Sequence, residues 1–323
     1  MNEKIKCLYN AGKLLTYRYG IRLGVISPRP LVAPSGSIQK SFYGQNILAA
    51  QEGNNLCKKM LLSDEPCMLG RIGTVEMGVI NAFINKKAGI IKHVKGERTK
   101  ILYNNAGFFP DDEEMVCQFS QLYLECAADM DVFGVFNHHD EDLFQHIYAP
   151  KAKMTQFTTF EAFYFNSPWT YALKGKKVLV IHPFENSIKK QYNGKRKVLF
   201  DDPEMLPEFE LLTIKAVQTI GDNTAGYNTW FDALNYMKEQ IDNVEFDIAL
   251  IGCGAYAFPL ASYIKRKGKK SVITAGATQL LFGIKGARWD KAETPVPYKG
   301  TWIRPDESEK PSKSETVEGG CYW

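Results

Sequence analysis

A glycine-rich stretch in the second half of the chain has the residue types of a phosphate-binding turn. It reads Gly252-Cys253-Gly254-Ala255-Tyr256-Ala257 and follows the apolar run Ile248–Ile251. A buried strand, a tight glycine turn and a helix N-terminus leave backbone N–H groups around a small concavity, and such groups favour phosphate or carboxylate. We therefore predict the phosphate-binding turn of a nucleotide site; the alternative is that the glycines only let a helix pack on a strand. The predicted binding residues are Gly252, Gly254, Ala255 and Tyr256.

This turn also matches the letters of the dinucleotide fingerprint G-x-G-x-x-G/A, but one part of a dinucleotide site is missing. Such a site needs an Asp or Glu about 20 residues further on, which binds the ribose hydroxyls. The next predicted strand ends in Thr274-Ala275-Gly276-Ala277, which contains no acid. The sequence therefore favours a phosphate-binding turn of another nucleotide site over an NAD site.

A second cluster, early in the chain, combines a guanidinium and a carboxylate at a predicted strand end. It reads Arg71-Ile72-Gly73-Thr74-Val75-Glu76 and joins a predicted strand, 67–72, to a predicted helix, 75–84. Open α/β sheets bind ligands at the carboxyl ends of their strands. Arg71 could therefore bind a diphosphate, and Glu76 could bind a metal or a sugar hydroxyl. The structural alternatives are that Glu76 complements the helix N-terminus and that Arg71 pairs with Glu76.

Polar side chains also follow two other predicted strands. His182 comes directly after the strand 176–181, and Asp140, beside His139, follows the strand 132–136. Either could act as a base or a hydrogen-bond partner. The segment after His182 adds groups that could contact anions and hydroxyls, and of these we select Ser187, Lys189 and Arg196. The structural alternatives are that Asp140 is a solvated loop acid or a helix N-cap, and that Lys189 is a cation near a helix C-terminus.

The order of these elements predicts the fold class. Three strand–turn–helix units carry their polar clusters at strand carboxyl ends, which is typical of a Rossmann-like, doubly wound α/β fold with a mostly parallel sheet. We also predict a polar helix from about 45 to 62 and a strand over 211–220. We divide the chain into a basic helical extension at 1–40, an α/β catalytic domain at 41–303 and a C-terminal tail at 304–323, whose terminal aromatic residues we expect to pack on the body.

Composition and charge exclude several classes of protein. The 323 residues carry a formal charge of +4. Lysines and arginines are interspersed with acids, which argues against a dedicated nucleic-acid binder. The seven cysteines show no zinc-site spacing, so we predict reduced thiols in a cytoplasmic protein.

No apolar run approaches the ~20 residues of a membrane span. For residues 1–35 we predict a basic, weakly amphipathic helix. This helix docks on the inner membrane surface or, alternatively, packs on the body or a partner.

Taken together, the two clusters resemble a known family. The pairing of Arg71–Glu76 with the later turn Ile251–Tyr256 is similar to that of the GT-D fold glycosyltransferases of bacterial surface-polysaccharide and glycoprotein assembly, over about residues 45–290. In that family the first motif reads Arg-Phe-Gly-Asp-Gly-Glu, and its Asp-x-Glu is linked to a divalent metal and the sugar-nucleotide donor. The residues that match are Arg71, Gly73 and Glu76. Thr74 replaces the Asp, and a hydroxyl is a far poorer ligand for Mg²⁺ or Mn²⁺ than a carboxylate.

This resemblance implies transfer of a sugar from a nucleoside diphosphate sugar to a glycan or lipid-linked glycan, with or without Mg²⁺ or Mn²⁺. The leaving diphosphate would be stabilised by positive charge and N–H donors. The candidates for that role are Arg71, Lys189, Arg196 and the turn 252–256, and the candidates for the base are Glu76, His182 and Asp140. Two alternatives stay open: a dehydrogenase or methyltransferase that uses the glycine turn, and a non-catalytic polysaccharide-assembly protein.

Overall fold

A computed structural model describes residues 2–27, 39–221, 223–290, 296 and 298–323. Within these ranges nine strands form one sheet in the order β1-β2-β5-β4-β3-β9-β8-β6-β7. The strands are β1 (Gln39–Lys40), β2 (Asn46–Leu48), β3 (Met68–Gly70), β4 (Val132–Val135), β5 (Lys153–Gln156), β6 (Lys177–His182), β7 (Glu210–Lys215), β8 (Ile248–Ile251) and β9 (Lys270–Ile273). All neighbours are parallel except β1 and β2.

Helices cover both faces of this sheet. They are α1 (Glu3–Arg22), α2 (Ala50–Leu62), α3 (Thr74–Lys87), α4 (Glu97–Ala106), α5 (Glu113–Cys126), α6 (His139–Tyr148), α7 (Glu185–Lys195), α8 (Trp230–Asp242), α9 (Ala257–Arg266), α10 (Ala277–Leu281) and α11 (Ala287–Asp290). Of the helices in the described ranges, none has the length and apolar character needed to cross a membrane.

Two hydrophobic cores lie on opposite faces of the sheet. Alternate residues of a strand point to opposite faces, and in β8 Ala249 and Ile251 join one core whereas Ile248 and Leu250 join the other. Helices α3, α5, α8 and α9 contribute to the first core, and α2, α7 and α10 to the second. Burial on both faces accounts for the continuous apolar runs seen in the sequence. The fold is Rossmann-like α/β with a mostly parallel sheet, as predicted.

Two element predictions differ from the structure. The predicted helix over 45–62 begins only at Ala50, because Asn46–Leu48 forms β2 instead. Ile47 is buried there and lies opposite Met154 of β5, so sheet pairing outweighs the helical pattern of these residues. The predicted strand over 211–220 ends at Lys215, where pairing with β6 stops.

The topology produces a crevice beside β3. The chain leaves β3 on one side for β4 and β5, and it returns on the other side through β6, β7, β8 and β9, so that β9 lies next to β3. The direction of winding therefore reverses between β3 and β9. Such a switch point leaves an open crevice at the carboxyl ends of the strands, which is where α/β sheets bind ligands.

Candidate functional site

The two motifs meet at one cleft in this crevice. A cavity of about 520 Å³ is lined by residues 71–76, by Gly254 and by the start of α9. Arg71 directly follows β3, and Gly254 lies three residues after the end of β8. Their convergence is the arrangement on which the nucleotide-site interpretation depends.

Two helix N-termini open on this cavity. Helix α3 begins after Gly73 and α9 after Tyr256, and neither N-cap residue makes a side-chain capping hydrogen bond. The first turn of a helix has unpaired N–H groups and a partial positive charge. Before α9, the amides of 253–255 donate no hydrogen bond to another described residue. The cleft therefore offers several N–H donors to an anionic group.

The two glycines of the turn have different physical roles. A Cβ atom at Gly252 would lie 2.3 Å from Oγ1 of Thr278, so this glycine is required for packing against the turn after β9. Gly254 has a φ of +58°, which favours glycine, and the nearest atom to its hypothetical Cβ is the Ala106 carbonyl oxygen at 3.6 Å. Gly252 therefore has a packing role, whereas Gly254 forms part of the wall of the cavity.

The next two residues of the turn face the core. Ala255 is fully buried, and its carbonyl accepts a hydrogen bond of 2.6 Å from the Tyr123 hydroxyl. The Tyr256 ring stacks on Trp230 at 4.9 Å between centroids, and its hydroxyl lies 2.7 Å from Oγ1 of Thr219. Ala255 and Tyr256 therefore hold the turn in place through the Ala255 carbonyl and the Tyr256 side chain. The Tyr256 N–H donates to the Cys253 carbonyl at 3.3 Å, so of these two residues Ala255 keeps its N–H for a ligand.

Arg71 is buried in the cavity wall and does not pair with Glu76. Its Nη2 donates to the Thr274 carbonyl at 3.2 Å and its Nη1 to the Phe157 carbonyl at 3.4 Å. Nη1 also lies 3.6 Å from Oε1 of Glu161. Burial lowers the pKa of Arg71, and the Glu161 charge opposes that shift. Because an arginine pKa is far above neutrality, the guanidinium stays charged where solvent screens it little.

Glu76 is the third residue of α3 and is 8 % exposed. Its carboxylate folds back over the helix N-terminus: a Cβ atom at Gly73 would lie 2.1 Å from Oε2. Within the described ranges no basic side chain forms an ion pair with it. Burial raises the pKa of Glu76, its own backbone amide lowers it, and the charge of Glu318 raises it further. The carboxylate thus complements the helix and remains a base of raised proton affinity.

The C-terminal part of the chain completes the cleft. Glu318, Tyr322 and Arg288 line the same cavity as Glu76. Arg288 forms an ion pair with Glu318, and its guanidinium lies 4.9 Å from the centre of the Tyr322 ring. The sequence marks Arg288 as a further candidate ligand group, whereas no local motif marks Glu318, Tyr322, Tyr123 or Glu161. These four residues can be identified only in the folded structure, because each lies far along the chain from the motif that it contacts.

His182 lies in a smaller, adjacent cavity of about 120 Å³, which shares Gly254 of the glycine turn with the larger one. Its Nδ1 accepts a hydrogen bond of 3.0 Å from the Phe184 amide, which assigns the proton of the neutral ring to Nε2. Burial lowers the pKa of His182 to about 3. The imidazole is therefore neutral at pH 7 and is a hydrogen-bond donor and a weak base.

The anion-binding position predicted at Ser187 is filled by the protein itself. The carboxylate of Glu309 accepts hydrogen bonds from the amides of Asn186 at 2.7 Å and Ser187 at 3.3 Å, and from the Ser187 hydroxyl. These donors form the N-terminus of α7, which favours negative charge. The negative charge at this position is supplied by Glu309 of the C-terminal segment. Ser187 therefore does not belong to the cleft.

Three further candidates also lie outside the cleft. Lys189 pairs with Glu185 at 2.8 Å, and Arg196 pairs with Glu208 at 3.1 Å. Asp140 forms an ion pair with Arg18 of α1. Neither of the two cavities is lined by these residues. Asp140 follows β4 closely, but Lys189 lies within α7 and Arg196 directly after it, and all three side chains pair with partners away from the cleft.

The donor set of the cleft does not fit a divalent metal held by the protein alone. The described residues contain no group of three or more His, Cys, Asp or Glu side chains placed to bind a metal. Glu161 and Glu318 are each paired with an arginine, which leaves Glu76 as the unpaired carboxylate and Thr74 as a hydroxyl. Mg²⁺ usually takes one or two carboxylates together with substrate phosphates.

Comparison with known proteins adds little to this geometry. No family model matches the sequence. No curated protein matches it either. A solved structure described as "Selenomethionine substituted structure of domain of unknown function 1792 (DUF1792)" aligns over 72% of this chain and 78% of that chain, at 12% identity and a TM-score of 0.36. At that TM-score the similarity carries no argument about the function of this chain.

Proposed function

We propose that this chain is a glycosyltransferase that moves a sugar from a nucleoside diphosphate sugar to a glycan or lipid-linked glycan in bacterial surface-polysaccharide biosynthesis. The observation that supports it is that Arg71, Glu76 and Gly254 line a single cleft at the switch point of the sheet. The same residues carry the resemblance to the GT-D fold glycosyltransferases. Cytoplasmic or membrane-surface localisation, the domain boundaries and the absence of nucleic-acid binding remain predictions from the sequence.

The donor diphosphate would bind between Arg71 and the free amides of 253–255 before α9, because the Glu76 carboxylate already complements the N-terminus of α3. The cavity of about 520 Å³ lies within the usual range for small-molecule sites, about 300–1,000 Å³. Negative charge builds up on the diphosphate as the bond to the sugar breaks. Fixed N–H donors and a buried guanidinium stabilise that charge more in a protein cleft than in water.

Glu76 would act as the general base in this reaction. The acceptor oxygen forms a bond to the anomeric carbon while the bond from that carbon to the diphosphate oxygen breaks, and the electron pair leaves with the diphosphate. The acceptor hydroxyl proton passes to the Glu76 carboxylate, whose raised pKa favours proton uptake. We assign no step to a metal, because Glu76, the one unpaired carboxylate among the described residues of the cleft, would serve as the base. His182, neutral in the adjacent cavity, would donate a hydrogen bond from Nε2 and would not act as the base.

A thermal-shift panel tests the proposal against an enzyme of another class. We expect a nucleoside diphosphate, UDP or GDP, to raise the melting temperature, because a ligand at 100 times its Kd stabilises a protein by about 2.7 kcal/mol. NAD and S-adenosylmethionine should have no effect. Stabilisation by NAD or S-adenosylmethionine, with none by nucleoside diphosphates, would instead support a dehydrogenase or a methyltransferase.

A cellular experiment separates the enzyme from a non-catalytic assembly protein. In a strain that depends on this chain for its surface glycan, Glu76→Gln should abolish glycan production while the protein remains folded and abundant. The assembly-protein alternative requires that substitutions at Glu76 and His182 leave glycan production intact.

A further inference from the structure

Helix α1 is attached to the body by one face. Cys7, Ala11 and Leu14 are buried in the hydrophobic core. Cys7 Sγ lies 3.1 Å from the Tyr148 hydroxyl, and Arg18 pairs with Asp140 of α6. These contacts fix the rotation of the helix about its own axis, so its opposite face is held towards solvent.

That outer face is unusually apolar. Seven large hydrophobic or aromatic side chains between residues 5 and 25 are at least 40 % exposed, and they make up half of the fourteen exposed side chains of this type in the described ranges. They are Ile5, Leu8, Tyr9, Leu15, Tyr19, Leu23 and Val25, and we call them the α1 stripe. Scattered single exposed hydrophobics are normal, whereas a contiguous patch marks an interaction surface.

Basic residues border the stripe on both sides. At about 100° per residue, the five stripe residues within the helix project from a sector of roughly 120°. Lys4 and Arg22 fall at one margin of that sector, and Lys6 and Lys13 fall at the other. Residues 4–27 include these four together with Arg18, and no Asp or Glu. An apolar stripe between two basic margins is the pattern of a helix that lies in the plane of an anionic membrane surface.

We propose that the α1 stripe docks this protein on a bilayer that contains anionic lipid. The apolar side chains enter the boundary between headgroups and acyl chains, and the basic margins contact the negatively charged headgroups. The helix has 20 residues, which corresponds to about 30 Å lying parallel to the surface. This inference uses no residue of the cleft, so it does not depend on the proposed sugar transfer.

Charge argues against a second copy of the chain as the occupant of the stripe. In a symmetric pair the same surface meets itself, so the basic margins of the two stripes would lie against each other. Like charges brought together in this way disfavour the contact, and no acidic residue of 4–27 offsets them. An anionic membrane supplies both the apolar phase and the opposite charge.

Vesicle sedimentation with the full chain tests the proposal. We expect binding to phosphatidylcholine vesicles that contain phosphatidylglycerol, weaker binding at high salt, and little binding to phosphatidylcholine alone, because surface charges are screened within about 10 Å at 0.1 M salt. The triple variant Leu8→Ser, Leu15→Ser, Leu23→Ser should lose binding at least about tenfold, because the apolar area that enters the membrane drives it. The control Leu62→Ser, Val198→Ser changes two side chains exposed to a similar extent elsewhere and should bind like wild type.

Folding and self-association are measured on the same proteins. The stripe side chains are exposed, so the triple variant should keep the wild-type melting temperature and its response to nucleoside diphosphates. Equal sedimentation of the triple variant and wild type, or no binding to anionic vesicles by wild type, overturns the proposal. A wild-type dimer in analytical ultracentrifugation that the triple variant converts to a monomer also overturns it, and assigns the stripe to a second copy.

Discussion

At the scale of single residues, the charge of Glu76 is costly in the folded protein. Burial raises its pKa above the ordinary value of 4.5, so the folded state binds a proton more readily than the unfolded chain. Stability is then fully present below the unfolded pKa and is lost as the pH rises through the folded-state pKa. A base held in this way gains proton affinity at the expense of stability.

Glu76→Gln should therefore separate activity from stability. We expect sugar transfer to fall by about 10²–10⁴-fold, the usual effect of losing a general base. The melting temperature should exceed that of wild type at about pH 8, and the difference should disappear near pH 4, where the wild-type carboxyl is also neutral. The exposed Glu307→Gln serves as a control with no such difference. A gain in stability that is equal at both pH values would show that the charge of Glu76 is not its cause.

His182 gives the opposite pH dependence. Its pKa is lowered from 6.5 to about 3 by burial, so below 6.5 the unfolded chain takes up a proton that the folded state does not. Stability that is present above the unfolded pKa is lost as the pH falls towards 3. Between about pH 6.5 and 5 we expect wild type to lose roughly 2 kcal/mol of its free energy of unfolding. His182→Asn, whose Oδ1 can accept from the Phe184 amide, should abolish this loss. Urea unfolding at both pH values measures it, and the exposed His138→Asn should keep the loss.

At the scale of elements, the strands around the site are predictable from short apolar runs that end at glycine or a polar cluster. Strands β3, β6, β8 and β9 all lie within a few residues of their predicted positions, because burial on both faces requires such runs. Strand β2 is missed, because three residues at the side of the sheet carry too weak a pattern. The other walls of the cleft depend on tertiary contacts, such as the Arg71 hydrogen bond to the Thr274 carbonyl across 203 positions.

Helix α7 and the C-terminal segment form one structural unit through Glu309. This carboxylate is 3 % exposed and accepts hydrogen bonds from the amides of Asn186 and Ser187 and from the Ser187 hydroxyl at the helix N-terminus. Glu309→Ala leaves those donors without their acceptor, and such a loss costs about 1–3 kcal/mol. We expect a lower urea midpoint for this variant and no change for the exposed Glu307→Ala. Wild-type stability in Glu309→Ala would show that water replaces the carboxylate without cost.

At the scale of the whole molecule, the cleft exists because the chain winds away from β3 and returns to it. Residues near position 71, near 254 and near 318 share one cavity only once the sheet and the C-terminal segment are complete. The α1 stripe lies on the outside of the same body and presents a separate surface. A ligand cleft and the proposed membrane-docking helix on one fold would suit the proposed glycosyltransferase, with a water-soluble donor and an acceptor attached to a lipid.

The central claim is that Arg71 and the glycine turn bind a diphosphate together, and calorimetric titration of UDP and GDP tests it most directly. We expect one of them to bind wild type with one site per chain. Arg71→Lys should weaken that binding at least about tenfold, because lysine cannot reproduce the planar fork of the guanidinium, and Arg196→Lys should leave it unchanged. Binding of neither nucleotide to wild type, or equal binding to wild type and Arg71→Lys, would contradict the account.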